Sequence, residues 1–354
     1  MELNKIICGN VLEVLKTFPD ESVDCIITSP PYYHKRVYGS EAVAIWGGDP
    51  NCGHEWDQNG FCKKCGAWKG ELGLEPSPSL YVEHLLQITA ELKRVLKKTG
   101  TFFLNINDTF SQISGNGMRQ KSMALIPERL LIGLYDQGWY VRNKIIWVKS
   151  NALPESVKDR LANRYEHVFF LTKNKRYYFD LDSIRISSAT MRSKTNSTAK
   201  EKVIKHDIAV GRVGNFSYSD PLHTKAYHPL GKNPGDILET TTEPFGKEFC
   251  PKCKRFLEKE EAKMVNGTLV CGHCGTPVVS HFAVFPKKLV TPLITAGCPP
   301  GGIVLDPFCG SGTALIVAKE LGRKYIGIDA VRAYCDMAEA RLKETKVVVK
   351  LTSF

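Results

Sequence analysis

Apolar residues come in short blocks along this chain, and the spacing inside each block predicts its structure. Residues 5–10 read as a strand ending in a turn, and Val11, Leu12, Val14, Leu15 and Phe18 then recur at helical spacing. Residues 24–28 make a second strand. The stripe Leu85, Ile88, Leu92 and Val95 predicts a long helix over 81–98, stopped by Gly100, with a third strand over 101–106. Another helix is expected over 122–137, interrupted by Pro127 and closed by Gly138, and strands follow over 140–149 and 166–173. Near the C-terminal end a helix leads to the buried strand 303–305; 314–321 is a helix stopped by Gly322, and 325–329 a last strand. Strands alternating with helices predict an α/β chain built on a parallel sheet.

Two stretches break this rhythm. Residues 38–79 are rich in glycine, proline and cysteine, and contain Cys52-x-His54 followed by Cys62-x-x-Cys65. That set supplies the donors of a closed tetrahedral zinc site, which is structural and would order an insertion beside the preceding loop. From about 184 to 230 the periodicity fades. Arg185, Arg192, Lys194, Lys200, Lys202, Lys205 and Arg212 outnumber Glu201 and Asp207, and Phe216, Tyr218 and Tyr227 add aromatic faces. Such a mixture suits phosphate contacts and base stacking, and equally a solvated loop. Cys250-x-x-Cys253 and Cys271-x-x-Cys274 then have the spacing of a zinc ribbon, with Gly272 and Gly275 easing the second knuckle. A ribbon this small needs its metal to fold. The remaining cysteines (Cys8, Cys25, Cys298, Cys309, Cys335) are scattered in or near apolar segments, a pattern of buried thiols in a reducing compartment.

Chemistry concentrates where strands end. Asp306-Pro307-Phe308-Cys309-Gly310-Ser311-Gly312-Thr313 places an acid and a glycine-rich turn at a strand-to-helix handover, where open α/β sheets bind ligands. The turn lacks both GxGxxG and the Gly-Lys-Ser/Thr of a phosphate loop. Asp329 ends the next strand, at a place where an acid accepts ribose hydroxyls in nucleoside-binding sheets. Ser29-Pro30-Pro31-Tyr32 follows the second strand; its prolines stiffen a turn that presents a hydroxyl, fixed carbonyls and an aromatic face. That combination suits an exocyclic amine on a planar base. Asn107 and Asp108 end the third strand, as site residues or as loop caps, and 149–154 lie at the same edge.

The string DPFCGSGT resembles the cofactor motif of S-adenosylmethionine-dependent DNA amino-methyltransferases, and SPPY resembles their catalytic motif, written [DNS]PP[YFW]. The resemblance covers nearly the whole chain apart from the two cysteine insertions. Catalytic motif first, recognition region next and cofactor motif last is the arrangement of the β group. It implies a circularly permuted Rossmann-like methyltransferase sheet with helices on both faces, closed by an antiparallel pair. The implied organisation is a catalytic half over 1–180 with a zinc-binding insertion at about 46–70, a target-recognition region over 181–245, a zinc ribbon over 246–278 and a cofactor half over 279–354. The resemblance assigns Ser29 and the Pro30 carbonyl to the target amine, with Pro31 in the same turn and Tyr32 stacked on a flipped base. It assigns Asn10, Thr28, Asp306, Phe308, Cys309, Gly310, Ser311, Gly312 and Thr313 to the cofactor pocket, with Asp329 on the ribose. Asn10 stands where the family often has an acid.

The serine form of the motif is commoner in enzymes that methylate cytosine N4, and the aspartate form in adenine-N6 enzymes. Cytosine N4 is therefore the first expectation and adenine N6 the second. Lysine and arginine exceed acids by 48 to 37, a net charge of +11 that favours a polyanionic partner. Double-stranded DNA is the implied substrate, with room for a cognate restriction endonuclease and for either a monomer or a homodimer. The absence of a long apolar run and of a signal-like start predicts a cytoplasmic protein without membrane contact. Motif order counts against protein glutamine methyltransferases, which place the cofactor motif first. A zinc-containing DNA-binding protein without activity, or an RNA enzyme, are the further readings.

Overall fold

The computed structural model describes residues 1–111, 115, 117–152, 154–187, 228–243, 247–280 and 286–347. The basic and aromatic residues 192–227 and the segment 281–285 lie outside the described residues. The chain divides into two compact units, Met1–Phe179 with Asp236–Phe354, and Asp180–Gly235. In the second, Ile186 bridges Lys232 and Arg185 pairs with Asp182 at 2.6 Å.

The first unit is organised on an eight-stranded sheet among the described residues. Its elements in chain order are β1 (Lys5–Cys8), α1 (Val11–Lys16), β2 (Val23–Thr28), β3 (Val43–Trp46), β4 (Trp68–Glu71), α2 (Pro78–Val95), β5 (Leu96–Ile106) and α3 (Ile126–Asp136). There follow β6 (Tyr140–Lys149), β7 (Tyr165–Thr172), β8 (Ile237–Thr240), β9 (Glu248–Cys250), β10 (Arg255–Leu257), β11 (Ala262–Val265) and β12 (Thr268–Cys271). The last elements are α4 (Lys287–Gly297), β13 (Ile303–Asp306), α5 (Thr313–Glu320), β14 (Lys324–Asp329) and α6 (Arg332–Glu344).

The strand order is β1-β14-β13-β2-β5-β7-β6-β8, parallel from β1 to β5, with β7 antiparallel to both β5 and β6. The last two strands in sequence thus insert between the first two, which is the circular permutation that the motif order implies. This places the ends of β2 and β13, carrying Thr28 and Asp306, side by side at one edge.

Alternation along the strands builds a core on each face. Ile26, Phe102, Phe169 and Leu305 point to one side with α1, α2 and α3, while Cys25, Ile27, Phe103, Phe170 and Val304 point to the other with α4 and α5. Each fully buried Leu, Ile or Phe contributes about 1.5–3 kcal/mol. Ser77 caps α2 by accepting from the Leu80 amide at 3.3 Å, and Pro78 occupies the first turn, where its missing N–H costs nothing.

Three boundaries differ from the pattern-based expectation. The 81–98 helix ends at Val95, and β5 begins at once with Leu96. Lys97 and Lys98 look like basic residues of a last helical turn, but they lie in a bulge: Val23 pairs with Leu96 while Cys25 pairs with Thr101. Gly100 lies within β5 and so stops no helix; a Cβ there would meet Leu96 Cδ1 at 2.4 Å and the Asp24 carbonyl at 3.0 Å. Pro127 does not interrupt a helix; α3 begins at Ile126 and Pro127 sits in its first turn. The pattern also passed over β8 and α6. No helix among the described residues is long and apolar enough to cross a membrane.

Candidate active site

A cavity of about 1250 Å³ opens at the sheet edge where β2, β13 and β14 end. Asn10, Ser29, Pro30, Pro31, Tyr32, Asp306, Phe308, Cys309, Gly310, Ser311, Thr313 and Asp329 all line it, so the structure brings both motifs to one space. Two residues expected in the pocket stand behind it. Thr28, 1% exposed, donates its hydroxyl to Asp306 Oδ1 at 2.7 Å, and Gly312 packs on Ala338. Gly312 has φ +79°, and a Cβ there would meet Ala338 Cβ at 2.8 Å, so the turn requires glycine. Asn10 caps α1, accepting from the Leu12 and Glu13 amides at 2.9 and 3.3 Å.

At one end of the cavity the acids hold the backbone. Asp306 Oδ1 also accepts from the Phe308 amide at 3.1 Å. Asp329 accepts from the Gly310 amide through Oδ2 and the Val331 amide through Oδ1, both at 2.9 Å. The Cys309 amide donates to the Ile328 carbonyl at 2.9 Å. Burial pushes the Asp306 carboxyl up to about 7, against the opposing pull of the Thr28 and Phe308 hydrogen bonds. Burial likewise pushes Asp329 up to about 6. Two carboxyls whose charge is poorly solvated favour a cationic ligand. The rings of Tyr38 and Tyr334, edge to face at 6.3 Å, also line the cavity and offer apolar walls.

At the other end side chains hold one another. Tyr32 donates its hydroxyl to Glu166 Oε2 at 2.6 Å, and Ser29 Oγ lies 3.0 Å from the same phenol oxygen. Asn105 Nδ2 donates to Glu166 Oε2 at 2.9 Å, and the Lys149 ammonium pairs with Glu166 Oε1. The turn itself is pinned from below, where Tyr81 donates its hydroxyl to the Pro31 carbonyl at 2.6 Å. Asp108 lines the cavity and also caps the start of α3, accepting from the Leu125 and Ile126 amides at 2.9 and 3.2 Å.

The 38–79 insertion supports this end. β3 and β4 form an antiparallel hairpin whose Trp46 and Trp68 stack on the His84 ring at 4.8 and 5.6 Å. His84 pairs with the buried Glu75 at 2.9 Å, and Glu75 accepts from the Gly73 amide at 2.8 Å. The Gly73 carbonyl then accepts from the His34 amide, just past SPPY, at 2.7 Å. At the tip of the insertion Cys52, His54, Cys62 and Cys65 place four donor atoms within 4.8 Å of one another. Cys250, Cys253, Cys271 and Cys274 do the same between the β9–β10 and β11–β12 hairpins. The Cys52–Cys62 and Cys253–Cys271 sulfurs are each 3.9 Å apart, near the separation of about 3.8 Å that two thiolates take on a tetrahedral zinc. Both sets therefore fit zinc.

Sequence reasoning missed Glu166, Asn105 and Arg341. The signal for Asn105 was a polar residue after the apolar run 102–104, and for Glu166 a polar pair with His167 at the head of an apolar strand; strand alternation alone does not say which faces a ligand. Arg341 donates to Ser311 Oγ at 2.9 Å and Thr313 Oγ1 at 3.2 Å from α6, a helix outside the expected elements. Lys149 fell at the edge of the loop expected there.

Comparison with known proteins fits this geometry. The DNA methylase family (N6_N4_Mtase) matches residues 23–340. The chain belongs to that family and is an S-adenosylmethionine-dependent DNA amino-methyltransferase acting on cytosine N4 or adenine N6. Among its relatives, the Type II methyltransferase M.Cfr9I of Citrobacter freundii is 29% identical over 96% of this chain and 88% of its own length. M.SmaI of Serratia marcescens is 28% identical over 96% of this chain and 90% of its own length. The fold is shared with the cytosine-N4-specific PvuII DNA methyltransferase (TM-score 0.53, 18% identity, 95% of this chain and 90% of that one). It is also shared with the Thermus thermophilus protein TTHA0409 in complex with S-adenosyl-L-methionine (TM-score 0.51, 18% identity, 99% of each chain).

Proposed function

We propose that the protein methylates the exocyclic N4 amine of a cytosine flipped out of double-stranded DNA, at a specific site. The observation that carries the reading is Ser29: a serine heads the amine-binding turn and lines the same cavity as Asp306 and Asp329. The serine form of this motif is the one commoner among cytosine-N4 enzymes. The PvuII enzyme, named as cytosine-N4-specific, contributes the fold to this argument and nothing finer.

The chemistry follows from the residues. An aromatic amine is a weak nucleophile because its lone pair is delocalised into the ring. Accepting its N–H groups at Ser29 Oγ and the Pro30 carbonyl favours a pyramidal nitrogen with a localised lone pair. Tyr32 and the rigid prolines hold the base plane, so alignment supplies much of the acceleration. The cofactor, when bound, supplies a methyl group on a positively charged sulfur. Asp306, Phe308, Gly310 and their neighbours form its pocket, Asp329 takes the ribose, and the buried acids complement the cationic centre. The target amine is out of reach in a stacked duplex, hence the flipping. The two zinc sites are structural, residues 181–245 recognise the target sequence, and a restriction endonuclease of the same specificity is the expected partner, in line with relatives named Type II methyltransferases.

The test is to incubate the protein with mixed-sequence DNA and S-adenosylmethionine, digest to nucleosides and identify the methylated one by mass spectrometry. N4-methylcytosine is expected, and Ser29→Ala should abolish it while leaving a folded protein. N6-methyladenine would overturn the choice of base while leaving the site in place.

A further inference from the structure

A methylated amine must shed a proton, and the hydrogen-bond chain behind SPPY ends on a carboxylate with no role so far. We propose that Glu166 is the positioning residue of this site: it turns Ser29 into an acceptor for the target amine and takes up, through Tyr32 and Ser29, the proton released. The proposal rests on Ser29 as the group that receives the amine, and holds for either base.

The direction of the chain follows from counting protons. A carboxylate only accepts, so the 2.6 Å contact commits the single Tyr32 hydroxyl proton to Glu166 Oε2. The Tyr32 oxygen can then only accept from Ser29 Oγ at 3.0 Å, which commits the single Ser29 proton as well. Ser29 is left with lone pairs alone toward the cavity, the polarity that an amine N–H requires. Without the carboxylate, Tyr32 could donate to Ser29, and the serine proton could swing toward the amine hydrogens. Glu166 is itself held fast. It is 6% exposed, Asn105 Nδ2 bridges its Oε2 and the His167 carbonyl at 2.9 and 3.0 Å, and Lys149 covers Oε1. The titratable groups facing it are Lys149 on β6, Tyr32 on the loop after β2 and His167 beside it on β7. Burial and the adjacent carboxylate push the Tyr32 phenol well above its ordinary value, so it can pass a proton on only while receiving one.

The bonds balance. The nitrogen–carbon bond forms with the amine lone pair as the donor's carbon–sulfur bond breaks, its electron pair staying on sulfur. One N–H bond then breaks with its pair staying on nitrogen. That proton goes to Ser29 Oγ, the serine proton to Tyr32 Oη and the tyrosine proton to Glu166 Oε2, from which water removes it after product leaves.

The experiment uses the full chain, S-adenosylmethionine and unmethylated mixed-sequence duplex DNA, with single-turnover rates for Glu166→Gln, Tyr32→Phe, the double variant and Ser29→Ala. Glu166→Gln and Tyr32→Phe should each slow methyl transfer by about 10²-fold. The double variant should be no slower than the slower single. Cofactor affinity by calorimetry should stay at the wild-type value, which also reports folding. The residual rate of Glu166→Gln should climb with pH as solvent base replaces the carboxylate, an effect that a merely structural part would not produce. Wild-type rates in both single variants, a deficit flat with pH, or effects that multiply, would overturn the relay provided Ser29→Ala remains impaired. If Glu166→Gln fails to bind cofactor, the Tyr32→Phe rate decides. A wild-type rate in Ser29→Ala would instead remove the site reading on which the proposal rests.

Discussion

At the two ends of the cavity the same kind of group, a carboxylate wholly or partly withdrawn from solvent, is put to different structural use. Asp306 and Asp329 grip backbone amides of Phe308, Gly310 and Val331, which belong to the two neighbouring loops that follow β13 and β14. Glu166 grips side chains that arrive from residues 32, 105 and 149, on three different segments. The first end is shaped mainly by backbone amides of two neighbouring loops, with Thr28 of β2 as its one side-chain donor to Asp306. The second holds its shape only while β5, β6, β7 and the 38–79 insertion keep their register. Distant damage should therefore reach the amine end and spare the cofactor end.

The largest test of that contrast is Asp306→Ala. It orphans the Thr28 hydroxyl and the Phe308 amide, at about 1–3 kcal/mol for each buried donor. S-adenosylmethionine binding should become undetectable by calorimetry, and methyl transfer should vanish with it. Normal affinity would show that this end does not hold the cofactor.

A smaller effect is expected from the first cysteine cluster. Cys62→Ser should loosen the hairpin that feeds Glu75, Gly73 and His34. Methyl transfer should fall about tenfold, the equivalent of about 1.4 kcal/mol, while cofactor affinity is unchanged. The counterpart Cys253→Ser should release zinc from the ribbon, which has its own small core of Cys250, Leu257 and Cys271, and leave both ends intact. Metal content, cofactor affinity and rate, measured together on the two variants, break the comparison if both ends respond alike.

The smallest effect concerns charge at the cofactor end. The Asp306 carboxyl is protonated below about 4 in folded and unfolded chains alike, so burial carries no charge penalty there. As pH rises from 4 to about 7 the unfolded chain loses this proton first, and the stability it preserved drains away. Asp306→Asn keeps an acceptor oxygen for Thr28 and cannot ionise. Without cofactor, its melting temperature should exceed wild type by about 2–4 °C at pH 8, with no advantage at pH 4. A constant difference across pH would mean that the buried charge is not its source.

Much of the site could be read without coordinates because its parts are contiguous. DPFCGSGT and SPPY carry their chemistry within eight and four residues, and both line the cavity. Even there, Thr28 and Gly312 turned out to support the pocket from behind, since contiguity does not reveal which side of a turn faces the ligand. Helix ends were harder: nothing local distinguishes Lys97 and Lys98 of a bulge from a basic last turn.

The sequence by itself determined the α/β class, the order of motifs and hence the permuted sheet, and two four-donor cysteine sets, because periodicity, motif strings and ligand spacing are local quantities. Only the tertiary structure decided that Glu166, 134 residues from Tyr32, closes the hydrogen-bond chain behind Ser29. That contact depends on the antiparallel register of β5 and β7, which sets Asn105 opposite Val168 and brings the head of β7 to the motif. Register is a property of paired strands, and neither strand's sequence contains it alone.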